Sequence, residues 1–333
     1  MTHALSGALL ACATAARISR PDQLPLRTRI LAGFTAAAVP DIDFALRVFG
    51  ILRYLNEHQG LTHSLVMLPL WAWLLAWLFS RISKGRHRWQ AFYGICAGSI
   101  AIHIGADLIT AYGTQLLAPL SDRRFSLALS FVIDPYFSTI IILGLLGAGL
   151  SPQRRLIPTA AFAVLAAYIG FQAELRQRAL NAARFHAQGS SIPAAPIHAL
   201  PQPFSPFNWM LLIETKEGYD VATIDLLTLR SFGNPDPEAS ATWRSYYLYG
   251  DTPEQTALAS IAWKHPELAA FREFAVFPAL DSIESGPNQT CVWFVDLRFL
   301  LPGSAPSFRY GLCRDTGSDH WRLERKPGAY WID

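Results

Sequence analysis

Eight side chains in the first half of the sequence could act together on one centre: His3, Asp41, Asp43, His58, His63, His103, Asp107 and Asp134. They stand in otherwise apolar sequence, where a titratable group is costly and persists mainly where it has a partner or a task. His103 and Asp107 are spaced i, i+4, which sets both on one stripe of a helix within reach of a single ion. Imidazole with carboxylate suits zinc, manganese or iron, and several of each can seat two ions about 3.5–4 Å apart, the spacing that clamps an in-line hydrolysis. The alternative for this pair is local, with His103 bonded to a neighbouring helix and Asp107 acting as a cap. His58 and His63 lie in the stretch His58-Gln59-Gly60-Leu61-Thr62-His63-Ser64. Gly60 permits a turn that aims both rings inward, and Thr62 or Ser64 can cap the helix that follows; loop histidines are otherwise commonly exposed and idle. Pro40 breaks a helix beside Asp41 and Asp43. Asp43 is the expected ligand, since one of two alternating acids usually faces solvent or a supporting partner; a simple capping turn is the alternative.

The elements that must carry these residues are membrane helices. The chain has 333 residues, 51% hydrophobic and 16% charged, with a mean hydropathy of +0.22, too apolar for an average soluble enzyme. Segments 64–79, 89–112, 131–150 and 156–171 approach the length of about 20 apolar residues that a bilayer requires. Segments 4–16 and 30–48 are weaker, the first being short and the second containing Pro40, Asp41 and Asp43. Basic residues follow the apolar stretch 4–16 instead of preceding it, the wrong order for a cleaved leader, so it is expected to be a retained helix. The resulting fold class is mostly α. A polytopic transmembrane bundle of about six membrane segments (1–172) precedes a helical extension and Pro-rich linker (173–206), then a small extracytoplasmic α+β domain (207–333).

Arg and Lys accumulate on cytoplasmic loops. Arg17, Arg20, Arg27 and Arg29, then Arg81, Lys84, Arg86 and Arg88, then Arg154 and Arg155, fall on one side if six segments cross. The N-terminus, loops 49–62 and 113–130, and everything after 171 are then outside. His103 and Asp107, roughly 20–27 Å along a helix entering from the cytoplasm at Trp89, reach the outer face where the other site candidates lie. The basic residues behind the net charge of +3 are dispersed and form no nucleic-acid stripe. No feature encodes an oligomeric state.

Taken in order, Thr2-His3, Pro40-Asp41-Ile42-Asp43, the 58–64 stretch, His103 with Asp107, Arg123-Arg124-Phe125-Ser126 and Asp134-Pro135 resemble the membrane-bound, metal-dependent hydrolases of the YdjM type, described as LexA-regulated in enterobacteria. The resemblance covers about the first 150 residues. That family usually has Arg where this chain has Gln59, which removes a phosphate or carboxylate contact and leaves a ligand role for His58 and His63 untouched. In its His/Asp order the family is similar to the zinc-dependent phospholipase C and P1 nuclease group. The similarity implies a phosphoester hydrolase of the bacterial inner membrane with Asp43, His63, His103 and Asp107 as ligands, and His3 and His58 as further candidates. The implied cofactor is zinc, about one to three ions, with manganese as an alternative. A metal-activated water would attack phosphorus or carbonyl, with Asp41 or Asp134 orienting it or acting as base. Arg123 and Arg124 would hold a phosphate through guanidinium forks or else anchor to headgroups. A site at the membrane surface favours a lipid or lipid-linked substrate. Two rivals are a metal or solute transporter, which would keep its ligands near the bilayer midplane, and a non-catalytic stress or assembly protein with a closed structural metal site.

After the bundle, 174–187 reads as a charged helical extension. Pro193, Pro196, Pro201, Pro203 and Pro206 suit an extended linker. Strands are expected at 210–214, 219–227, 291–300 and 307–314, with helices opening at Thr252 and after Pro266. Trp209, Trp243, Tyr246, Tyr247, Trp293, Trp321 and Trp331 are expected in the core, with a place at the membrane interface as the alternative. Cys12 and Cys96 fall in apolar helices, whereas Cys291 and Cys313 lie on adjacent expected strands, where a disulfide is permitted without the register to assert it. The sequence contains no CxxC, GxSxG, Walker loop or dinucleotide fingerprint, which removes support for serine nucleophiles and nucleotide chemistry.

Overall fold

The computed structural model describes residues 2–15, 23–150, 155–189, 195–227, 242–303 and 305–326; Arg17, Arg20, Arg154, Pro193 and Trp331 lie outside them. The chain divides into two compact units, Met1–Gly50 with Glu57–Glu174, and Ile51–Asn56 with Leu175–Asp333.

The first unit is helical: α1 (Thr2–Ala13), α2 (Leu26–Ala38), a 3-10 segment (Pro40–Phe49), the end of α3 (Ile51–Glu57), a 3-10 turn (Leu61–His63), α4 (Leu68–Ile82), α5 (Trp89–Leu108), α6 (Pro135–Leu150) and the apolar part of α7 (Leu156–Gly189). Its interior is built around α5. Phe92, Ile95, Cys96, Ser99, Ile100, His103, Ile104 and Asp107 are buried, at the three- and four-residue steps that define one helix face. Ala11, Ala32, Ala36, Ala72 and Ala76 from α1, α2 and α4 pack on that face; small side chains let helix backbones come close where lipid supplies no hydrophobic drive. The closest approach is between α1 and α2, where a Cβ on Gly7 would collide with the Gly33 carbonyl and a Cβ on Gly33 with that of Gly7. A second cluster joins Leu9 to Ile141, Ala161 and Leu165.

Six membrane crossings are not supported. Among the described residues two helices are long and apolar enough to span, α5 with 20 residues and α7 with 34; a third span arises only if Ile51–His63 and Leu68–Ile82, bent by 78°, are one broken segment. At 12 and 16 residues, α1 and α6 rise only about 18 and 24 Å against a hydrocarbon layer of roughly 30 Å. Helix α2 has 13 residues and carries Arg27 and Arg29. The apolar windows overreached because they merged helices with their flanks: 131–150 begins in a turn before α6, and 30–48 runs from α2 into the 3-10 segment that Pro40 opens.

The second unit contains two antiparallel sheets, each ordered along the chain: β1 (Ile197–Pro201), β2 (Asn208–Glu214), β3 (Gly218–Asp225) and β4 (Arg244–Tyr247), then β5 (Pro278–Ser285), β6 (Gln289–Asp296), β7 (Arg309–Asp315) and β8 (Arg322–Lys326). Ile197–Pro201, inside the Pro-rich stretch, is thus a strand paired with β2. The polar half of α7 lays Leu175, Ala179, Leu180 and Ala183 against Trp209, Leu211 and Ile224. Helix α8 (Pro253–Lys264) is capped by Thr252, whose Oγ1 accepts from the Gln255 N–H at 3.3 Å. Trp263 packs on Phe294, and Phe271 of α9 (Ala269–Phe274) packs on Tyr310. Cys291 and Cys313 face each other across β6 and β7 and form a disulfide.

Two outcomes follow. Denatured, unreduced protein is expected to titrate two thiols, Cys12 and Cys96, and reduced protein four; the paired Cys291→Ala, Cys313→Ala variant should lose about 3 kcal/mol of stability for a loop of this length. Gly33→Val should lower the thermal midpoint in detergent by the equivalent of about 1–3 kcal/mol or more, whereas Gly94→Ala, with nothing within 4 Å of the added carbon, should not lower it.

Candidate metal centre

His103 and Asp107 end the buried stripe of α5, about 21 and 27 Å from its start. Ala37 in the last turn of α2 receives a hydrogen bond from His103 Nδ1 at 2.6 Å. A carbonyl can only accept, so Nδ1 carries a proton, and in the neutral ring the lone pair is then on Nε2. His63 is fixed similarly: its Nδ1 lies 2.9 Å from Thr62 Oγ1 and 3.5 Å from Asp43 Oδ2. Thr62 donates its own proton to Asp43 Oδ2 at 3.2 Å, which leaves its oxygen to accept from His63 Nδ1–H.

The consequence is that two lone pairs face each other. His63 Nε2 and His103 Nε2 are 3.0 Å apart and both rings are fully buried. Asp107 Oδ2 lies 3.1 Å from the first and 3.2 Å from the second, yet among the described residues it is a buried oxygen with no hydrogen-bond partner. Asp41 Oδ1 is 3.9 Å from His63 Nε2 and 3.5 Å from His103 Nε2. In a tetrahedral zinc shell with bonds of about 2.0–2.1 Å, neighbouring donors stand roughly 3.3–3.4 Å apart, a spacing close to that of His63 Nε2, His103 Nε2 and Asp107 Oδ2. His3 adds a fifth donor, its Nε2 lying 3.4 Å from Asp107 Oδ1; the ligand atoms of His3, His103 and Asp107 all lie within 4.8 Å of one another, as do those of Asp41, His63 and His103.

The other expected site residues stand further out. Asp43 is buried and spends its oxygens on support. Oδ1 takes His58 Nδ1 at 3.0 Å, while Oδ2 takes the Gln59 N–H at 3.1 Å and the Thr62 hydroxyl. It thereby orients two histidine rings, a role that outer carboxylates play around metals. Asp134 caps α6 through the Phe137 N–H and accepts from Ser130, Tyr168 and Gln172, each at 2.9 Å. Arg124 donates to the carbonyls of His58 (3.1 Å) and Gly113 (2.8 Å), clamping the histidine loop. Arg123 is exposed over the Phe125 ring. Gln59 adopts a positive φ of 58°, and its side-chain oxygen accepts from Thr114 at 3.0 Å. Ser64, through contacts with the N–H groups of Val66 and Met67, is the residue that caps the approach to α4.

A cavity of about 320 Å³ adjoins the cluster, lined by His3, Asp41, His58 and Asp107 on one side and by Phe131, Val132, Ile133 and Asp134 on another. Neither Arg123 nor Arg124 lines it. Sequence reasoning missed the Ala37 carbonyl, which no residue type announces, and the Tyr168 and Gln172 contacts to Asp134. Thr62 was visible only as a capping candidate; its place one residue before His63 was the signal for a ring-orienting role.

Three comparisons bear on identity. The chain is 28% identical over 157 residues to the uncharacterized protein YfhP of Bacillus subtilis (strain 168), covering 45% of this chain and 47% of that one. The chain therefore matches about half the length of this curated relative. No solved structure matches it. The model of the YdjM inner membrane protein family matches residues 1–179, more than half of the chain and the whole of the histidine–aspartate cluster, and the protein belongs to that family.

Proposed function

We propose that this protein is a membrane-bound, metal-dependent hydrolase acting on an ester centre of a lipid or lipid-linked substrate. The observation that carries this reading is the convergence of the His63 and His103 imidazole nitrogens with oxygens of Asp41 and Asp107, two residues that line a cavity. His63, His103, Asp107 and Asp41 would hold a divalent cation, and His3 with the second Asp107 oxygen could serve a neighbouring one. Zinc suits this nitrogen and oxygen set, with manganese second. Bound there, the cation would polarise a phosphoryl or carbonyl oxygen and acidify an attacking water. Asp41, with 46% of its side chain exposed, can accept a proton at the cavity wall. His58, held through Nδ1 by Asp43, is a second proton carrier there.

A purely structural metal calls for a shell closed by protein; Asp41, His3 and Asp107 instead border open space, which supports a reacting site. A transporter would set its ligands near the midplane, whereas His103 and Asp107 fall in the last turns of α5. The His/Asp order similar to that of phospholipase C and P1 nuclease supports the same reading. Among the described residues the cavity lining carries Asp41, Asp107 and Asp134 and no Lys or Arg. Facing those carboxylates, a phosphodiester monoanion or a neutral ester is better matched than a phosphomonoester dianion. We further assign the second unit to the extracytoplasmic side, a reading supported by its Cys291–Cys313 disulfide, which suits an oxidising compartment.

Elemental analysis of detergent-purified protein tests this. Wild type should carry stoichiometric zinc or manganese, His103→Ala should lose it, and Asp43→Asn should bind it about 10–100-fold more weakly. The metal-loaded protein should hydrolyse bis(p-nitrophenyl) phosphate faster than p-nitrophenyl phosphate. A folded wild type that takes up no metal would overturn the proposal, and metal held without any hydrolysis would make it a staple.

A further inference from the structure

The rim of the cavity is apolar where a site fed from water would be polar. Val132 and Ile133 line it, yet they are 64% and 68% exposed. The Pro40–Phe49 segment has two faces. Asp43 is buried and Asp41 lines the cavity, while Ile42 and Val48 are 66% and 86% exposed. Arg47 lies over the Phe44 ring, 5.0 Å from its centroid. Apolar side chains outward with a guanidinium over an aromatic ring is the composition of an element at the headgroup boundary, where the apolar groups enter the acyl layer and the cation reaches phosphate.

The depth agrees. Helix α5 is about 30 Å long, the thickness of the hydrocarbon layer, and its site residues lie within about the last 9 Å. Helix α6 starts two residues after Ile133, and its exposed Leu143 and Leu146 continue the apolar surface. Clustered apolar exposure of this kind marks an interaction surface, and the one that fits is lipid.

We propose that Pro40–Phe49 and the 131–133 stretch insert into the interfacial layer of a phospholipid bilayer and form a lateral portal, through which the cavity receives an amphiphile from the bilayer and not from bulk water. The fate of that amphiphile rests on the hydrolase reading; the insertion does not.

The full chain is reconstituted in phosphatidylcholine–phosphatidylglycerol vesicles with a nitrobenzoxadiazole label on Ile42→Cys, Val48→Cys or Ile133→Cys. Lys264→Cys is the aqueous reference, and unsubstituted protein, whose Cys12 and Cys96 are buried, is the labelling blank. The three rim labels are expected to emit to the blue of the reference and to be quenched by spin-labelled lipids at a depth of about 5–10 Å, with little quenching by iodide. Monodisperse elution qualifies each variant, and three positions guard against one that misfolds. Rim labels that behave like Lys264→Cys would overturn the portal, as would blue emission without lipid quenching, which indicates a protein cover. Insertion without hydrolysis keeps the portal and sinks the hydrolase; hydrolysis without insertion does the reverse.

Discussion

His63 Nε2, His103 Nε2 and Asp107 Oδ2 are held 3.0–3.2 Å from one another in a buried interior, where acceptor atoms facing each other are costly unless a proton or a cation lies among them. That constraint governs the first unit. The pairing is enforced from behind: His103 is held by the Ala37 carbonyl, His63 by Thr62 and Asp43, and neither ring can turn its proton inward without losing its buried partner. The rest of the unit works to keep those partners in place. Gly7 and Gly33 let α1 and α2 touch, the alanines of α2 and α4 let α5 sit deep, and Ala37 is thereby brought to His103.

The supporting shell explains why so many polar residues collect at one end of an apolar bundle. Asp43, Gln59, Thr62, Thr114 and Arg124 form a connected set, in which each buried polar atom used is matched to another or to a backbone group. Asp134, Tyr168 and Gln172 are joined separately between the start of α6 and α7, with the Gln172 amide nitrogen engaged and its Oε1 unmatched among the described residues. A half-satisfied network at this depth would cost more than an apolar core. Each set therefore defines one geometry for the cavity wall it supports.

Much of the site was legible in the sequence because titratable residues in apolar surroundings are conspicuous. The i, i+4 spacing of His103 and Asp107, the Gly60 loop and the Pro40 break each pointed to local geometry that the structure shows. Asp43 was the expected ligand, but its oxygens meet His58, Gln59 and Thr62, and it is Asp41 that faces His63 Nε2 and His103 Nε2. In a 3-10 segment the two acids are separated by about 240° of rotation, and the choice depends on a loop from elsewhere in the chain. Span number was overread because hydropathy windows ignore helix ends. In the second unit, β2, β3, β6 and β7 carry alternating or continuous apolar runs and were visible. The shorter β1, β4 and β8 contain Pro201, Arg244, or Arg322 with Lys326, and their extended form comes from pairing to a neighbour and not from their own composition.

The most direct measurement on the central assembly is X-ray absorption at the metal edge of the purified protein. The expected spectrum has a first shell of nitrogen and oxygen at about 2.0–2.1 Å with imidazole outer scattering from at least two rings, and no sulfur at about 2.3 Å. A sulfur shell, or a light-atom shell without imidazole scattering, would contradict a metal held by His63, His103, Asp107 and Asp41.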